Sequence, residues 1–397
     1  MNITIFRGTH QIGGCVAEIS TKSTRIIIDM GSELPDEDGN AIIETLEIEG
    51  ITKGTNNCDA VYFTHYHGDH IGMIASILPE IPLYMGEAAK DIYLTLQKRV
   101  KSKNVPIIKS IKTFKKAEKI SIGDIFITPI MVDHSAYDAY MFLIEADGKR
   151  VLHTGDFRMH GFRGKGVIPA LHAYVKKVDI LITEGTMLSR DPKHTKTERM
   201  LQDEFKKLLL AYKYVFVICS STNIDRIASL HEATPRGKYF LCDRYQKEVI
   251  DVAIKYAAVH SSLYSFKKAL FYSEAIKERV QKRGFCMLVR GNDQFQRIMR
   301  EYRDAHNSEC LVIYSLWEGY LSQSKNRYKD MMEGFQNVKH IHTSGHATMK
   351  AIEAVCRAVA PSQAIIPIHS EKPKRLNSLN LPYHIEYLQD GQVYEVK

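Results

Sequence analysis

Four side chains able to bind a metal ion stand within six residues of this chain: His65, His67, Asp69 and His70, in the run Thr64-His65-Tyr66-His67-Gly68-Asp69-His70. Imidazole nitrogens and a carboxylate form a donor set that suits Zn²⁺, with Mn²⁺ as the alternative. His65 and His67 are two residues apart, so in an extended segment they point the same way. Asp69 and His70, at the entry to a helix, face a second point a few ångström off. That spacing suits two adjacent ions better than one, and the chemistry two ions support is activation of a shared water. A solvated histidine-rich loop is the plain alternative.

Such a cluster needs rigid elements to aim it. Ala60-Val61-Tyr62-Phe63 reads as a buried strand before it, and Ile71 to Leu78 as the start of a helix after it. Arg25-Ile26-Ile27-Ile28 runs into Asp29, a carboxylate at the end of an apolar strand that must find partners there. It either caps its own loop or braces the histidine loop by hydrogen bonds without touching metal. The strand Ile125 to Val132 ends just before His134. Arg150-Val151-Leu152-His153 leads to Asp156, and Asp179 to Thr183 leads to Glu184. Ligands gather at the carboxyl ends of strands in such layouts. Four ends of this kind in one chain, at the histidine cluster, His134, Asp156 and Glu184, are hard to explain separately.

From about Lys196 the pattern becomes a regular alternation. Helices are expected over Glu198–Tyr212, Ile224–Glu232, Gln246–Ala258, Ala275–Lys282 and Gln294–His306. The strands between them are Tyr214–Cys219, Tyr239–Cys242, Phe285–Val289 and Leu311–Tyr314. This βαβ texture predicts a parallel sheet covered by helices. A strand near Val338, then Ser344-Gly345-His346, a helix over Ala347–Val359 and a strand Ala364–Ile368 ending at His369 follow. Tyr383 to Val396, with Asp390-Gly391 inside, predicts a terminal hairpin.

The chain has 397 residues, 44% hydrophobic and 25% charged, as expected for one large domain or two with a sizeable core. A formal net charge of +8 permits a polyanionic partner. Lysines crowd the stretch Lys98 to Lys119, which reads either as a solvated basic face or as a track for a phosphate backbone. The seven cysteines are scattered and form no C-x-x-C, which points to reduced thiols and a cytoplasmic setting. No long apolar run predicts a membrane span, and Met1 to Arg7 lacks a signal-peptide layout.

The order of these pieces resembles the metallo-β-lactamase superfamily, specifically its β-CASP nucleases, over nearly the whole chain. Asp29 matches the first family motif, His65, His67, Asp69 and His70 the second (H-x-H-x-D-H), His134 the third and Asp156 the fourth. Glu184, His346 in Thr-Ser-Gly-His-Ala and His369 in Ile-Pro-Ile-His-Ser match the three β-CASP motifs. The last two are typical of the RNA-processing branch, since DNA-processing members usually carry Val where His369 stands. Ser221-Thr222-Asn223-Ile224-Asp225-Arg226 is similar to ribonuclease J. The chain ends soon after His369, so that family's C-terminal domain is not expected.

The resemblance implies an αββα sandwich built from residues 1–190 and 341–397, with a β-CASP parallel α/β subdomain inserted at 191–340. It implies two Zn²⁺ per chain, one held by His65, His67 and His134, the other by Asp69, His70 and His369, with Asp156 bridging. The implied activity is a zinc-dependent ribonuclease that hydrolyses single-stranded RNA by hydroxide attack, in RNA processing or decay. Asp69, His346 and Glu184 are then expected to be catalytic, His346 as a proton donor to the leaving oxygen and Glu184 as the group that sets its tautomer. Ser344, Gly345, Ser221 and Thr222, read as lying at helix N-termini, are expected to bind phosphate together with Arg158. A cleft between the two subdomains would admit single strands. No membrane partner is expected, and a homodimer is left open. The competing readings are a DNA-processing β-CASP nuclease, a small-molecule hydrolase of the same fold, and an RNA-binding scaffold without turnover.

Overall fold

The computed structural model spans residues 1–397 and describes all of them except 37, 41, 43–44, 191–194, 258–261 and 324–325. The chain divides into two compact units. One comprises Met1–Pro35, Ala41–His194 and Gly345–Lys397, the other Asp36–Asn40 and Thr195–Ser344.

The first unit is a sandwich of two mixed sheets. One runs in the order Val393–Glu395, Asn2–Arg7, Val16–Ser20, Arg25–Ile28, Ala60–Tyr62, Leu83–Gly86 and Lys112–Phe114. Its first four strands are antiparallel and the rest are parallel to Arg25–Ile28. The other runs Ala364–Ile368, Ile180–Glu184, Lys149–His153, Ala139–Ala146, Ile125–Val132 and Ile120–Ile122. The central strands are continuous apolar runs covered on both faces, and successive side chains point to opposite sides. Ile26, Ile28, Ile180, Ile182, Ile366 and Ile368 turn inward to the core between the sheets. Leu152, Leu181 and Ile365 turn outward, where Val355 and Val359 of helix Met349–Val359 and Val167 and Leu171 cover them. On the outside of the first sheet, helix Glu87–Arg99 packs on Leu83–Gly86 and Lys112–Phe114.

The second unit carries a six-stranded sheet in which every pair is parallel, in the order Ala269–Phe271, Tyr239–Cys242, Phe285–Val289, Tyr214–Ile218, Cys310–Tyr314 and Val338–His340. Buried faces of helices Glu198–Ala211, Ile224–Ala233, Arg244–Tyr256 and Asp293–His306 accompany it. Arg226 and Glu198, both with fully buried side chains, pair at 2.8 Å between the first two of those helices.

Three expectations need correction. The segment after His70 is not one helix: it is a single α turn, Gly68–Ile71, then a 3₁₀ turn, Ile74–Ser76. Tyr383–Val396 is not a hairpin. Ile385 bridges Ile365 in one sheet while Val393–Glu395 pairs with Asn2–Arg7 in the other, so Asp390-Gly391 turns the chain from one sheet to the next. Helix Arg244–Tyr256 ends before Ala258, which lies outside the described residues. All seven cysteines are buried free thiols, and no helix among the described residues is long and apolar enough to cross a membrane.

Candidate metal centre

The site residues of the first unit stand at the carboxyl ends of six strands. Asp29 follows Arg25–Ile28, the histidine run follows Ala60–Tyr62, His134 follows Ile125–Val132, and Asp156 follows Lys149–His153. Glu184 ends Ile180–Glu184 and His369 follows Ala364–Ile368. The loop after Tyr62 brings His65 Nε2 within 3.0 Å of His67 Nδ1, and His134 Nε2 lies 3.2 Å from the same His67 atom. The α turn carries Asp69 and His70 to a second point, where Asp69 Oδ2 lies 3.2 Å from His369 Nε2 and 4.0 Å from His70 Nε2. Asp156 joins the two. Its Oδ2 is 3.2 Å from His70 Nε2, and 3.9 to 4.0 Å from His65, His134 and His369 Nε2.

The rest of the fold fixes which ring nitrogen each histidine presents. His134 Nδ1–H donates to the Gly345 carbonyl at 2.8 Å, and His70 Nδ1–H to Asp29 Oδ2 at 2.8 Å. The Thr64 hydroxyl donates to Asp29 Oδ2 and sits 3.0 Å from His65 Nδ1, and the Thr186 hydroxyl sits 2.7 Å from His369 Nδ1. In all four the outer nitrogen is committed and Nε2 is aimed inward, the arrangement that orients a metal-ligating imidazole. Asp29 also accepts the Thr64 backbone N–H at 2.7 Å, so it braces the histidine loop.

Backbone geometry is specialised to match. Asp29 and His369 both have left-handed backbones, with φ of 63° and 53°. Each costs on the order of 1–3 kcal/mol for a residue with a side chain, strain that concentrates at functional sites. A Cβ on Gly345 would lie 2.4 Å from Ser135 Oγ, so only glycine lets this carbonyl reach His134.

Burial pushes His65 and His134 well below the ordinary imidazole range and His67 down to about 4, with neighbouring imidazoles adding to the effect on each. The neutral form is therefore favoured in all three, and Nε2 of His65 and His134 converge on Nδ1 of His67. Burial alone would also lower His70, but the carboxylates of Asp156, Asp29 and Asp69 outweigh it and raise it well above that range. The second point therefore favours a positive charge. Both oxygens of Asp156 and Nε2 of His70 are buried with no hydrogen-bond partner among the described residues. Groups so placed cost several kcal/mol unless something satisfies them. The donor sets His65–His67–His134 and His65–His70–Asp156, each with atoms within 4.8 Å of one another, fit divalent ions.

At the rim, His346 Nδ1 lies 3.2 Å from Glu184 Oε2 and 3.4 Å from Asp156 Oδ2. Desolvation would lower His346; Glu184 and then Asp156 outweigh it and lift it to about 9. Glu184 also accepts the backbone N–H of Phe157 at 3.0 Å and of Ala347 at 3.1 Å, tying the chain just after Asp156 to the chain just after His346.

The residues expected to bind phosphate fare differently. Arg158 is fully buried and its Nε bonds Asp133 Oδ1 at 3.1 Å, so it holds the loop beside His134 together instead of facing substrate. Ser344 and Gly345 do not begin a helix, because the helix starts at Met349 with Thr348 as its cap. In the second unit, Asn223 caps helix Ile224–Ala233, so half-buried Ser221 and buried Thr222 precede the cap, with the Thr222 hydroxyl 3.1 Å from that of Ser220. Sequence reasoning assigned no role to Thr186, although its place two residues after Glu184 at a strand tip was a usable signal. Nor did it find Cys15, whose thiol lies within 4.8 Å of His70 and His369 atoms. Nothing in its spacing marks it, since a glycine-rich turn delivers it.

A two-sheet sandwich with this histidine–aspartate centre at its strand ends defines a metallo-β-lactamase fold, and a family model described as a beta-lactamase superfamily domain matches residues 24–209. The match to that domain covers the first part of the chain, and beyond it the chain is similar over nearly its whole length to ribonucleases J. It is 25% identical to ribonuclease J of Helicobacter pylori over 94% of its own length and 56% of that protein's. It is 22% identical to ribonuclease J of Mycoplasma genitalium over 93% of its length and 68% of that protein's. The chain thus spans about half the length of the first of these curated relatives. A crystal structure of a protein of unknown function from Enterococcus faecalis has the same fold, with a TM-score of 0.75 at 22% identity over 99% of both chains.

Proposed function

We propose that this protein is a metal-dependent ribonuclease that hydrolyses phosphodiester bonds of single-stranded RNA. The observation that carries the reading is the convergence of five imidazoles on the buried carboxylate of Asp156, with Asp69 beside two of them, His369 and His70. In this reading His65, His67 and His134 hold one ion and Asp69, His70 and His369 the other, with Asp156 shared; Zn²⁺ suits the imidazole-rich set and Mn²⁺ is the alternative. Ions so held supply Lewis acidity toward a phosphate and lower the pKa of nearby water. Asp29, Thr64, Thr186 and the Gly345 carbonyl keep the imidazoles in register. In the doubly protonated His346 ring Glu184 accepts the Nδ1–H, and Nε2–H gives its proton to the leaving 3′-oxygen, leaving the ring neutral. The products are a 5′-phosphate and a 3′-hydroxyl. Ser221, Thr222, Ser344 and Gly345 stay candidates for binding substrate phosphate, while Arg158 is dropped.

The test is digestion of 5′-labelled and 3′-labelled single-stranded RNA, with DNA and chelator controls. Chelator-sensitive cutting of RNA alone is expected, and the two labels separate internal from terminal cleavage. Replacing His67 or Asp69 with Ala should remove turnover while leaving much RNA binding. Equal cutting of DNA would overturn the choice of substrate, and full activity in those variants would overturn the site.

A further inference from the structure

The metal centre explains the histidines and carboxylates but not where the charge of this protein lies. Between Lys98 and Lys119 stand nine cations, eight lysines and Arg99, against one acid, Glu118. That balance equals the formal excess of the whole chain, +8, so the remainder is neutral overall. All nine cations are exposed. The fold gathers them: helix Glu87–Arg99 packs against helix Val105–Ser110 and against the edge strand Lys112–Phe114, and Lys90 Nζ bonds the Lys109 carbonyl at 3.0 Å across the two helices. Lys119 is committed to Glu145 at 2.7 Å, and Lys112 lies over the Tyr84 ring at 5.5 Å. Lys98, Lys101, Lys103, Lys109, Lys115 and Lys116 have no ion pair with a carboxylate among the described residues.

Lysine on an edge strand guards against unwanted strand pairing, which accounts for Lys112. It does not account for Lys101, Lys103 and Lys109, which stand on a helix and the turns around it. Self-repulsion among unpaired cations disfavours such a cluster unless a polyanion offsets it. We propose that this face of the first unit is a binding track for the phosphate backbone of RNA, gripping substrate away from the bond that is cut. Lysines act there as point charges on phosphates, so the track reads no sequence, and its grip comes from release of counterions.

This inference rests on the ribonuclease reading for its choice of RNA, and its test can fail separately. The variant Lys101→Glu, Lys103→Glu, Lys109→Glu, Lys116→Glu changes only exposed side chains. A second variant replaces the same four with Gln, in case added acids disturb folding. Binding of an RNA of about 40 nucleotides is measured against salt concentration, and turnover is measured on an RNA of about five. The Glu variant should lose more than about tenfold in affinity at low salt. Its slope of log affinity against log salt should fall by about three units, near 0.7 per lost phosphate contact for single strands. The Gln variant should lose less affinity with a similar fall in slope, since the same four contacts are gone, and turnover of the short RNA should stay within about twofold of wild type. Unchanged affinity and slope would overturn the track, even if wild type cuts RNA. Tighter binding of the wild type to anionic phospholipid vesicles than to RNA would overturn the choice of partner. Absence of cutting with the binding changes intact would sink the ribonuclease reading and leave the track standing.

Discussion

Two buried charged clusters, Arg226–Glu198 in the second unit and Asp156–His70 in the first, are satisfied in opposite ways. In the second unit, Arg226 and Glu198 face each other with parallel bonds of 2.8 and 3.0 Å, and Arg226 and Ser229 add bonds to Ser315 and Glu198. The pair is closed, each group answered by another. In the first unit, Asp156 and His70 are just as buried, yet they meet in a 3.2 Å contact of Oδ2 with Nε2 that makes no well-formed hydrogen bond, and Asp156 Oδ1 has no hydrogen-bond partner among the described residues. A closed pair holds helices in place, whereas an open one presents donor atoms whose grouping fits a cation. The contrast separates charge buried for structure from charge buried for chemistry, and it can be broken by experiment from either side.

The largest effect is expected at the open site. Asp156→Ala should lower phosphodiesterase turnover by at least about a thousandfold, the several kcal/mol that Lewis-acid stabilisation of charge supplies. The metal-free protein should lose little stability beside that loss of turnover, because Asp29 still holds His70 and Glu184 still holds His346 when the Asp156 carboxylate is gone. The closed site should behave in reverse. Arg226→Ala should cost about 3–5 kcal/mol of stability, since it strands Glu198 in the core, and denaturant melts would show it. A closed pair that could be cut at no cost in stability would erase the distinction.

Asp29 lies between these extremes, closed toward the protein and acting on the open site. Asp29→Asn keeps the shape but weakens its hold on Thr64 and His70. Metal affinity should fall about 10–100-fold, read by chelator competition, with the melting temperature of the metal-free protein little changed. Thr186→Val should be the mildest. Losing one hydrogen bond to His369, worth about 1 kcal/mol, should weaken metal binding about fivefold. An Asp29 effect smaller than that of Thr186 would contradict the bracing role.

Much of the candidate site is visible in the sequence because side chains able to ligate a metal have few chemical substitutes and here sit where strands end. His65, His67, Asp69 and His70 are close along the chain, and the parallel sheet of the second unit follows from unbroken apolar strands such as Tyr214–Ile218. What escapes the sequence is what depends on long-range geometry. Arg158 looks like a basic group at a site mouth until the fold turns it inward onto Asp133. The approach of Cys15 to His70 and His369 depends on a turn through Gly13 and Gly14, with φ of 87° and 66°. The segment after Asp390-Gly391 mimics a hairpin because local turn chemistry does not say which sheet each arm joins.

The claim that Asp156 joins two cation positions is tested most directly by counting metal. Wild-type protein, loaded with zinc and dialysed, should hold two equivalents per chain by elemental mass spectrometry, and Asp156→Ala should hold fewer than one. A wild type that retains no metal, or an Asp156→Ala variant that retains both equivalents, would contradict the account.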